Sequence, residues 1–352
     1  MFINGVGTAT PSRRYTQAEC WKALAATVEH ASLSPRAKSI LRKVLNSDNG
    51  IATRYLALET LAQVADFSAD VLHRRFHRHA PNLAAHAATN ALNDAGVKAS
   101  DVDAVIVSTC TGYLCPGLSG YVMERLDLRP DVRALDLVGH GCGAALPNLS
   151  TAAALISSQQ CARVLSVCVE VCSAAFYLDN DPGVLVSVCI FGDGAAAALL
   201  GSTPVPERRR IEWAAYGSQI DPARRELLRF EQRRGMLRNV LTPPVPQLAA
   251  EYSELVLANA LQAANVKRRS ISTWLWHAGG RDVLRALAQR LQLSENDMRW
   301  SREVLSEYGN VSSASVLFVL ERALEGQAPG GWWWLATFGA GFASHGALLK
   351  VE

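Results

Sequence analysis

The sequence predicts an α/β protein in which helices are layered on mostly parallel strands, in two halves of similar organisation. Strand-like and helix-like segments alternate along most of the 352 residues. Several strand-like segments are almost continuously apolar, as in sheets that are covered on both faces. A charged, proline-containing stretch at residues 202–210 separates two runs of this alternation. We therefore expect two units, residues 1–205 and residues 206–352.

The first half is expected to alternate apolar strands with helices rich in small residues. The predicted strands cover residues 2–9, 102–110, 133–138, 162–171 and 188–200. The predicted helices cover residues 16–31, 80–95 and 121–128. Thr16 and Glu19 form a possible capping box at the first helix, and Gly96 is a suitable C-terminal cap for the second.

The second half repeats the same order of elements. Its predicted strands cover residues 211–217, 272–277, 332–338 and 343–351, and its predicted helices cover residues 245–264, 281–291 and 312–324. The last two strands are separated by a short glycine turn and are expected to form a pair.

Composition restricts the class of protein. The chain is 49% hydrophobic and 19% charged, which indicates a well-packed globular core. A net charge of +3 is too weak to argue for nucleic-acid binding, and no apolar run reaches the ~18 residues that a membrane span needs. Eight cysteines without a secretory signal favour a reducing, cytoplasmic location, and their spacing predicts no metal site.

Cys142 is the first candidate for chemistry. It follows an apolar strand-like segment and a glycine turn, and a helix rich in small residues begins directly after it. At a helix N-terminus, unpaired N–H groups and the helix dipole stabilise a thiolate and make the cysteine reactive. The alternative is a core-filling role, because free cysteines are usually buried.

His277 is the best partner for this cysteine. It ends a strand-like segment and is followed by Ala278, Gly279 and Gly280, so it belongs at the carboxyl end of a strand, where α/β sheets build sites. A cysteine nucleophile needs such a base or cation nearby. The other histidines lie on helices, in an arginine-rich segment, next to the cysteine or near the C-terminus.

Two further runs contain candidates. Asn310 lies in a Tyr-Gly-Asn-Val-Ser-Ser run, where it can cap the following helix or donate its amide N–H to an oxyanion. Phe191 begins a Phe-Gly-Asp-Gly-Ala-Ala-Ala run, which lacks the third glycine of a dinucleotide-binding loop. A similar tight turn, Phe-Gly-Ala-Gly, spans residues 338–341.

Taken in order, these runs resemble the type III polyketide synthases, the chalcone-synthase-like branch of the thiolase fold. The resemblance covers nearly the whole chain and implies a five-layered α-β-α-β-α fold built from two similar halves. It also implies a homodimer that uses malonyl-CoA and an acyl-CoA starter, with no metal or redox cofactor, no nucleic acid and no stable membrane insertion. The implied reaction is iterative decarboxylative condensation, followed by cyclisation to a pyrone or resorcinol-type ring.

The resemblance assigns roles to individual residues. Cys142 matches the acyl-carrying nucleophile, and His277 and Asn310 match the two groups that bind a thioester carbonyl. Phe191 matches an aromatic gatekeeper between the CoA tunnel and the cavity. Gly339 and Gly341 match the loop that shapes the cavity floor, although Ala340 replaces the usual proline there.

The resemblance is less specific at the cavity and at the CoA site. The positions that line the cavity in this family hold small side chains here, namely Cys110, Thr111, Cys115, Cys172 and Ala175. Small side chains predict a roomy cavity and therefore a medium or long-chain acyl starter, as in bacterial members that use fatty acyl groups. The alternative is that Cys110 and Cys172 fill core. Arg42 and Lys43 are the best matches to the family's CoA-binding cations.

Three other functions are considered. A ketoacyl synthase III-like enzyme shares the fold and the Cys/His/Asn set, but performs one condensation with an acyl carrier protein. A cysteine hydrolase favours a glycine at the place that His140 occupies. A non-catalytic nucleic-acid protein would explain the basic clusters but not the ordered set of site residues.

Overall fold

Thirteen strands form one large sheet and two small ones. The computed structural model describes all residues, Met1–Glu352. The strands are β1 (Phe2–Ala9), β2 (Arg14–Thr16), β3 (Thr53–Tyr55), β4 (Ala104–Ser108), β5 (Arg133–Leu137), β6 (Arg163–Glu170), β7 (Gly194–Gly201), β8 (Ile211–Ile220), β9 (Leu228–Arg233), β10 (Met236–Leu241), β11 (Ile271–Trp276), β12 (Gly331–Gly339) and β13 (Ala343–Val351).

The large sheet has nine strands in the order β11-β12-β13-β8-β1-β7-β6-β4-β5. Four neighbouring strands come from residues 211–351, and the other five come from residues 2–201. The two groups meet only where Phe2 pairs with Glu212. Each group is therefore a nearly separate sheet. The boundary at residues 205 and 206 stays a prediction.

The prediction of mostly parallel strands is wrong. Only β11–β12, β4–β5 and β4–β6 are parallel, whereas the other five pairings in the large sheet are antiparallel. Continuous apolar runs indicate that both faces of a sheet are covered, which is usual for parallel strands. Antiparallel strands that are covered on both faces show the same runs, so the pattern does not give strand direction. The short turn between β12 and β13 forces these two strands to be antiparallel.

Eleven helices complete the fold. They are α1 (Gln17–Ala25), α2 (Val28–Ala31), α3 (Pro35–Asn46), α4 (Ala69–Ala95), α5 (Leu118–Leu126), α6 (Ala145–Ser157), α7 (Pro182–Ile190), α8 (Val245–Ala264), α9 (Arg281–Leu291), α10 (Arg299–Tyr308) and α11 (Ser315–Glu325). None of them is long and apolar enough to cross a lipid bilayer.

The helices and sheets form five layers. Helices α6 and α11 each contact strands of both sheet halves, so they form the central layer. Helix α4 covers β1, β7 and β6 on one outer side, and α8 covers β8, β12 and β13 on the other. This is the α-β-α-β-α arrangement that the resemblance implied. It places the N-termini of both central helices between the sheets.

Most predicted elements are present, with two informative differences. The capping box at Thr16 and Glu19 is formed. The helix predicted over residues 80–95 begins earlier, after the Ser68 cap. Its first turns were left out of the prediction because their polar residues are typical of a solvated segment. The strand predicted over residues 188–200 is wrong at its start, since residues 188–190 end helix α7. That helix is buried almost all round, so it has no polar face from which a helical period can be read.

Candidate functional site

Cys142 lies in a single tight turn, Gly141–Gly143, between strand β5 and helix α6. The turn is held from the second half of the chain, since Thr337 Oγ1 donates to the Gly143 carbonyl oxygen at 3.0 Å. A Cβ atom at Gly339 would lie 2.4 Å from the Gly143 nitrogen, so only glycine allows this approach. The nucleophile turn is thus fixed against strand β12.

His277 and Asn310 lie beside this turn at the ends of their own elements. His277 follows β11, is 1% exposed, and packs its ring edge-on against Phe338 at a centroid distance of 4.9 Å. Its Nδ1 atom is buried without a protein partner. Asn310 Oδ1 accepts from the Ser312 nitrogen at 2.9 Å, which turns the amide Nδ2 toward the Gly279 carbonyl oxygen at 3.1 Å.

Phe191 is connected directly to the Asn310 loop through the backbone. The Asn310 nitrogen donates to the Ile190 carbonyl oxygen at 2.8 Å, and the Gly192 nitrogen donates to the Asn310 carbonyl oxygen at 3.0 Å. The buried Arg54 guanidinium donates to the Phe191 carbonyl oxygen at 2.8 Å. The position of Phe191 is therefore fixed relative to the amide of Asn310.

The thiol of Cys142 has a polar environment that the sequence did not reveal. Ser312 Oγ donates to Cys142 Sγ at 3.2 Å and lies 3.2 Å from Cys110 Sγ. Hydrogen bonds from Cys110, His277 and Ser312, together with the charge of His277, hold the pKa of Cys142 well below its ordinary value against the effect of burial. Cys142 is therefore the more acidic of the two neighbouring thiols.

Glu170 completes this hydrogen-bond network. The carboxylate is fully buried and accepts hydrogen bonds from Cys110 Sγ at 3.3 Å, from Thr111 Oγ1 at 2.8 Å and from the Ser313 hydroxyl. Burial raises the pKa of Glu170, and Cys110 is held in its protonated form because its hydrogen bond to Cys142, burial and Glu170 all raise its pKa.

The lowered pKa of Cys142 gives a pH prediction. Because its pKa is lowered, alkylation of Cys142 by iodoacetamide is expected to fall less steeply than that of a free cysteine as the pH is lowered from about 8 to about 6. A free cysteine, with a pKa of ~8.5, should slow about tenfold per pH unit over that range. Peptide mass spectrometry after timed labelling measures the rate at Cys142 alone. A decline parallel to that of free cysteine would contradict the assigned environment.

A cleft of about 580 Å³ connects these residues to the surface. It is lined by Cys142, His277 and Asn310, together with Phe191 and Phe338. The sequence-predicted catalytic set therefore shares one cleft. Of the two predicted CoA-binding cations, Lys43 lines this cleft and Arg42 does not. Arg42 is the adjacent residue on helix α3 and is exposed.

A second, inner cavity lies behind Phe191. Thr111, Cys172 and Ala175 line it, at positions where the resemblance implied cavity residues, but its volume is only about 20 Å³. This is room for about one water molecule. The prediction of a roomy cavity is therefore wrong for this structure. Three large side chains outside the predicted set also line it, namely Phe176, Tyr177 and Phe230.

Other predicted cavity residues lie elsewhere. Cys115 is exposed and lines neither of the two cavities. Gly339 and Gly341 also line neither cavity, because Gly339 packs under the nucleophile turn instead. Cys110 contacts the thiol network rather than the inner cavity.

Six site residues were not predicted from the sequence: Glu170, Phe176, Tyr177, Phe230, Ser312 and Phe338. Glu170 ends an apolar strand, and a lone carboxylate in such a run was a usable signal, since buried charges need partners. Ser312 and Phe338 lay inside runs that were singled out for other residues. Phe230 lies on the β9–β10 hairpin, whose many arginines made it look like a solvated basic cluster.

Comparison with known families agrees with this arrangement. Residues 10–214 match the family described as FAE1/Type III polyketide synthase-like protein, and residues 222–351 match the C-terminal domain of chalcone and stilbene synthases. The chain belongs to the type III polyketide synthase family. It is therefore an acyltransferase that condenses malonyl-CoA.

Curated type III polyketide synthases are similar over almost their full length. A 3,5-dihydroxyphenylacetyl-CoA synthase from Amycolatopsis balhimycina is 33% identical over 98% of this chain and 92% of the relative. A 1,3,6,8-tetrahydroxynaphthalene synthase from Streptomyces peucetius is 30% identical over 99% of this chain and 92% of the relative.

Solved type III polyketide synthase structures have the same fold. The PKS-I structure from the brown alga Ectocarpus siliculosus has a TM-score of 0.91 at 25% identity, and covers 99% of this chain and 98% of that one. The 1,3,6,8-tetrahydroxynaphthalene synthase from Streptomyces coelicolor has a TM-score of 0.90 at 22% identity, over 100% of this chain and 99% of that one.

Proposed function

We propose that Cys142 carries the growing acyl chain and that His277 and Asn310 activate malonyl-CoA. The observation that carries this proposal is the common cleft, in which an acidic thiol faces a buried imidazole and an oriented amide. The thiolate attacks the carbonyl carbon of the starter thioester. The carbon–sulfur bond to CoA then breaks, and the CoA thiolate takes up a proton. The acyl group remains on Cys142.

Malonyl-CoA is then decarboxylated with its thioester carbonyl between the two donors. Loss of CO₂ moves an electron pair into the thioester and forms an enolate, whose oxygen accepts hydrogen bonds from His277 and Asn310 Nδ2. One such donor is worth ~3 kcal/mol, or 10²–10³ in rate. The enolate carbon attacks the acyl-cysteine and releases the thiolate. Decarboxylation supplies the carbanion and every step is redox-neutral, so we propose that no metal or redox cofactor takes part.

A short starter fits the inner cavity better than a fatty acyl chain. The space behind Phe191 holds about 20 Å³, far less than a long alkyl chain needs. Both relatives named above have products whose names denote small polyhydroxylated aromatic rings without an alkyl tail. We therefore propose a short acyl or malonyl-derived starter and an aromatic or pyrone product. The fatty acyl starter expected from the small side chains is the competing choice.

A product assay separates these choices. Purified enzyme receives malonyl-CoA alone, or malonyl-CoA with acyl-CoA starters of graded chain length, and products are identified by mass spectrometry. Ring products from malonyl-CoA alone or from short starters support the proposal. Alkylpyrones or alkylresorcinols formed preferentially from long starters would overturn it. Dependence on an acyl carrier protein would overturn the polyketide-synthase reaction itself.

Phe230 is expected to limit the length of the chain that the cavity accepts. Its ring lines the inner cavity from the β9–β10 hairpin, so Phe230→Ala enlarges the space directly. We expect the preference, measured as kcat/KM, to shift toward longer starters by ~10-fold or more, since each buried CH₂ is worth ~0.8 kcal/mol. Leu255→Ala, on the exposed face of helix α8, serves as the control. An unchanged chain-length profile in Phe230→Ala would contradict the assignment.

Lys43 and Arg281 are the cations at the mouth of the cleft, and we propose that they bind the CoA phosphates. Lys43→Met is expected to raise KM for malonyl-CoA by ~5–10-fold with little change in kcat, because it removes binding that is equal in the ground and transition states. Arg42→Met is a matched control, since Arg42 is adjacent but lies outside the cleft lining. Equal KM changes in both variants would point to a general effect of charge.

The proposed homodimer has a suitable face at strand β5. This strand is at the edge of the large sheet, where Leu135 is 38% exposed and Val138, directly after the strand, is 64% exposed. Apolar side chains on an unpaired edge favour association. Sedimentation is expected to show a dimer that Leu135→Lys weakens, and a monomeric wild type would contradict the proposal.

The eight free thiols suit the reducing conditions of the proposed cytoplasmic location.

A further inference from the structure

A second thiol lies close to the nucleophile that lines the cleft. The Sγ atoms of Cys110 and Cys142 each lie 3.2 Å from the same hydroxyl oxygen, that of Ser312. They are therefore separated by at most twice that distance. Neither cysteine is sealed in the core, since both are half-buried, and Cys142 is the one that lines the cleft. A small solute that enters the cleft can reach Cys142.

The two sulfurs are prepared for different chemistry. Cys142 lies at the nucleophile turn beside His277 and Ser312, which favour its thiolate. Cys110 keeps its proton, which has two acceptors within reach, the Cys142 sulfur and Glu170 Oε1 at 3.3 Å. Ser312 donates its hydroxyl proton to Cys142. The pair thus combines a reactive thiolate with a thiol that already contacts a base.

We propose that Cys142 is a site of oxidation by peroxides and that Cys110 resolves the product to a reversible Cys110–Cys142 disulfide. The Cys142 thiolate attacks one peroxide oxygen, the O–O bond breaks, and the departing hydroxide takes up a proton to form water. Cys142 is then a sulfenic acid. This inference needs only the reactive thiolate, so it does not depend on the starter or on the condensation reaction.

Glu170 acts as the base in the second step. It accepts the Cys110 proton, and the resulting thiolate attacks the sulfur of the Cys142 sulfenic acid. The S–O bond breaks, the S–S bond forms, and the hydroxide leaves as water with the proton that Glu170 held. Two thiols are thereby oxidised by two electrons, and one peroxide is reduced to two waters. Disulfide formation halts further oxidation of Cys142 to the irreversible sulfinic acid.

Substrate is expected to protect the site. An acyl group on Cys142 occupies the sulfur that attacks peroxide, so a working enzyme resists oxidation while an idle one is converted to the disulfide. A dithiol reductant restores both thiols by exchange through the exposed cleft. Transient disulfides of this kind are compatible with a reducing compartment.

The test uses the reduced full-length protein, hydrogen peroxide and peptide mass spectrometry without reductant. We expect a linked pair of peptides containing Cys110 and Cys142, lighter by two hydrogen atoms, that dithiothreitol converts back to thiols. Cys110→Ser should yield no linked pair and accumulate sulfinic acid at Cys142 that dithiothreitol does not reverse. Cys161→Ala, which removes a buried thiol outside the cleft lining, should still form the link.

Glu170→Gln tests the role of the base separately. The amide cannot accept the Cys110 proton, so disulfide formation should slow ~10-fold or more while the sulfenic acid accumulates and is trapped by dimedone. The inference is overturned if the wild-type protein gives sulfinic acid at Cys142 with no linked pair, or if Cys142 recovers equally in Cys110→Ser and in the wild type.

Discussion

Replacing Cys142 by alanine is expected to lower polyketide formation by at least ~10³-fold, because Cys142 is the only cysteine that lines the cleft. The donors His277 and Asn310 remain in place in this variant. Decarboxylation of malonyl-CoA to acetyl-CoA should therefore continue. Parallel assays of ring product and acetyl-CoA measure the two activities in one reaction.

The control for this variant is Cys161→Ala, which removes a thiol from the core instead of the cleft. We expect it to retain ring formation. If Cys142→Ala still forms ring products at a rate near that of the wild type, the covalent route through this sulfur is wrong. If both activities vanish while the fold is intact, the separation of nucleophile and donors is wrong.

Asn310→Asp is expected to lower malonyl-CoA decarboxylation by ~10²–10³-fold or more. The substitution keeps the oxygen that accepts from the Ser312 nitrogen, and replaces the Nδ2 donor by an oxygen that repels the enolate. The loss therefore reports the missing donor rather than a changed loop. The rate of acetyl-CoA release from malonyl-CoA is the measurement.

Acyl loading provides the internal control for Asn310→Asp. Intact-protein mass spectrometry should still show transfer of an acyl group from a starter CoA to Cys142, because the thiolate environment is unchanged. Decarboxylation at the wild-type rate would remove Asn310 from the proposed oxyanion site. Loss of acyl loading together with decarboxylation would show that Asn310 acts by holding the cleft in shape.

The sequence predicted the elements better than their arrangement. Residues 2–9 and 343–351 are strands as expected, since their apolar patterns are local properties of the chain. The direction of strand pairing depends on where the connecting segments run, which no local pattern records. Residues 188–190, which end the buried helix α7, were predicted as part of a strand. A helix that is apolar all round shows no helical period from which it could be recognised.

The candidate site could be predicted where a residue stands at a glycine-rich junction. Cys142, His277 and Asn310 all have such junctions and share one cleft. Glu170 and Phe230 could not be predicted in the same way, because their roles come from contacts made across the fold. The cavity volume is the clearest example, since small side chains at the expected positions were outweighed by aromatic ones from a distant hairpin.

The nucleophile and several of the groups that activate it come from different halves of the chain. Cys142 belongs to the first half, while His277, Ser312 and the Thr337 support of its turn belong to the second. During synthesis the N-terminal part emerges and folds first. The cysteine consequently lacks the charge of His277 and the hydroxyl of Ser312 until the ribosome has almost finished the chain. A nascent or prematurely terminated product thus carries a less reactive sulfur than the complete enzyme.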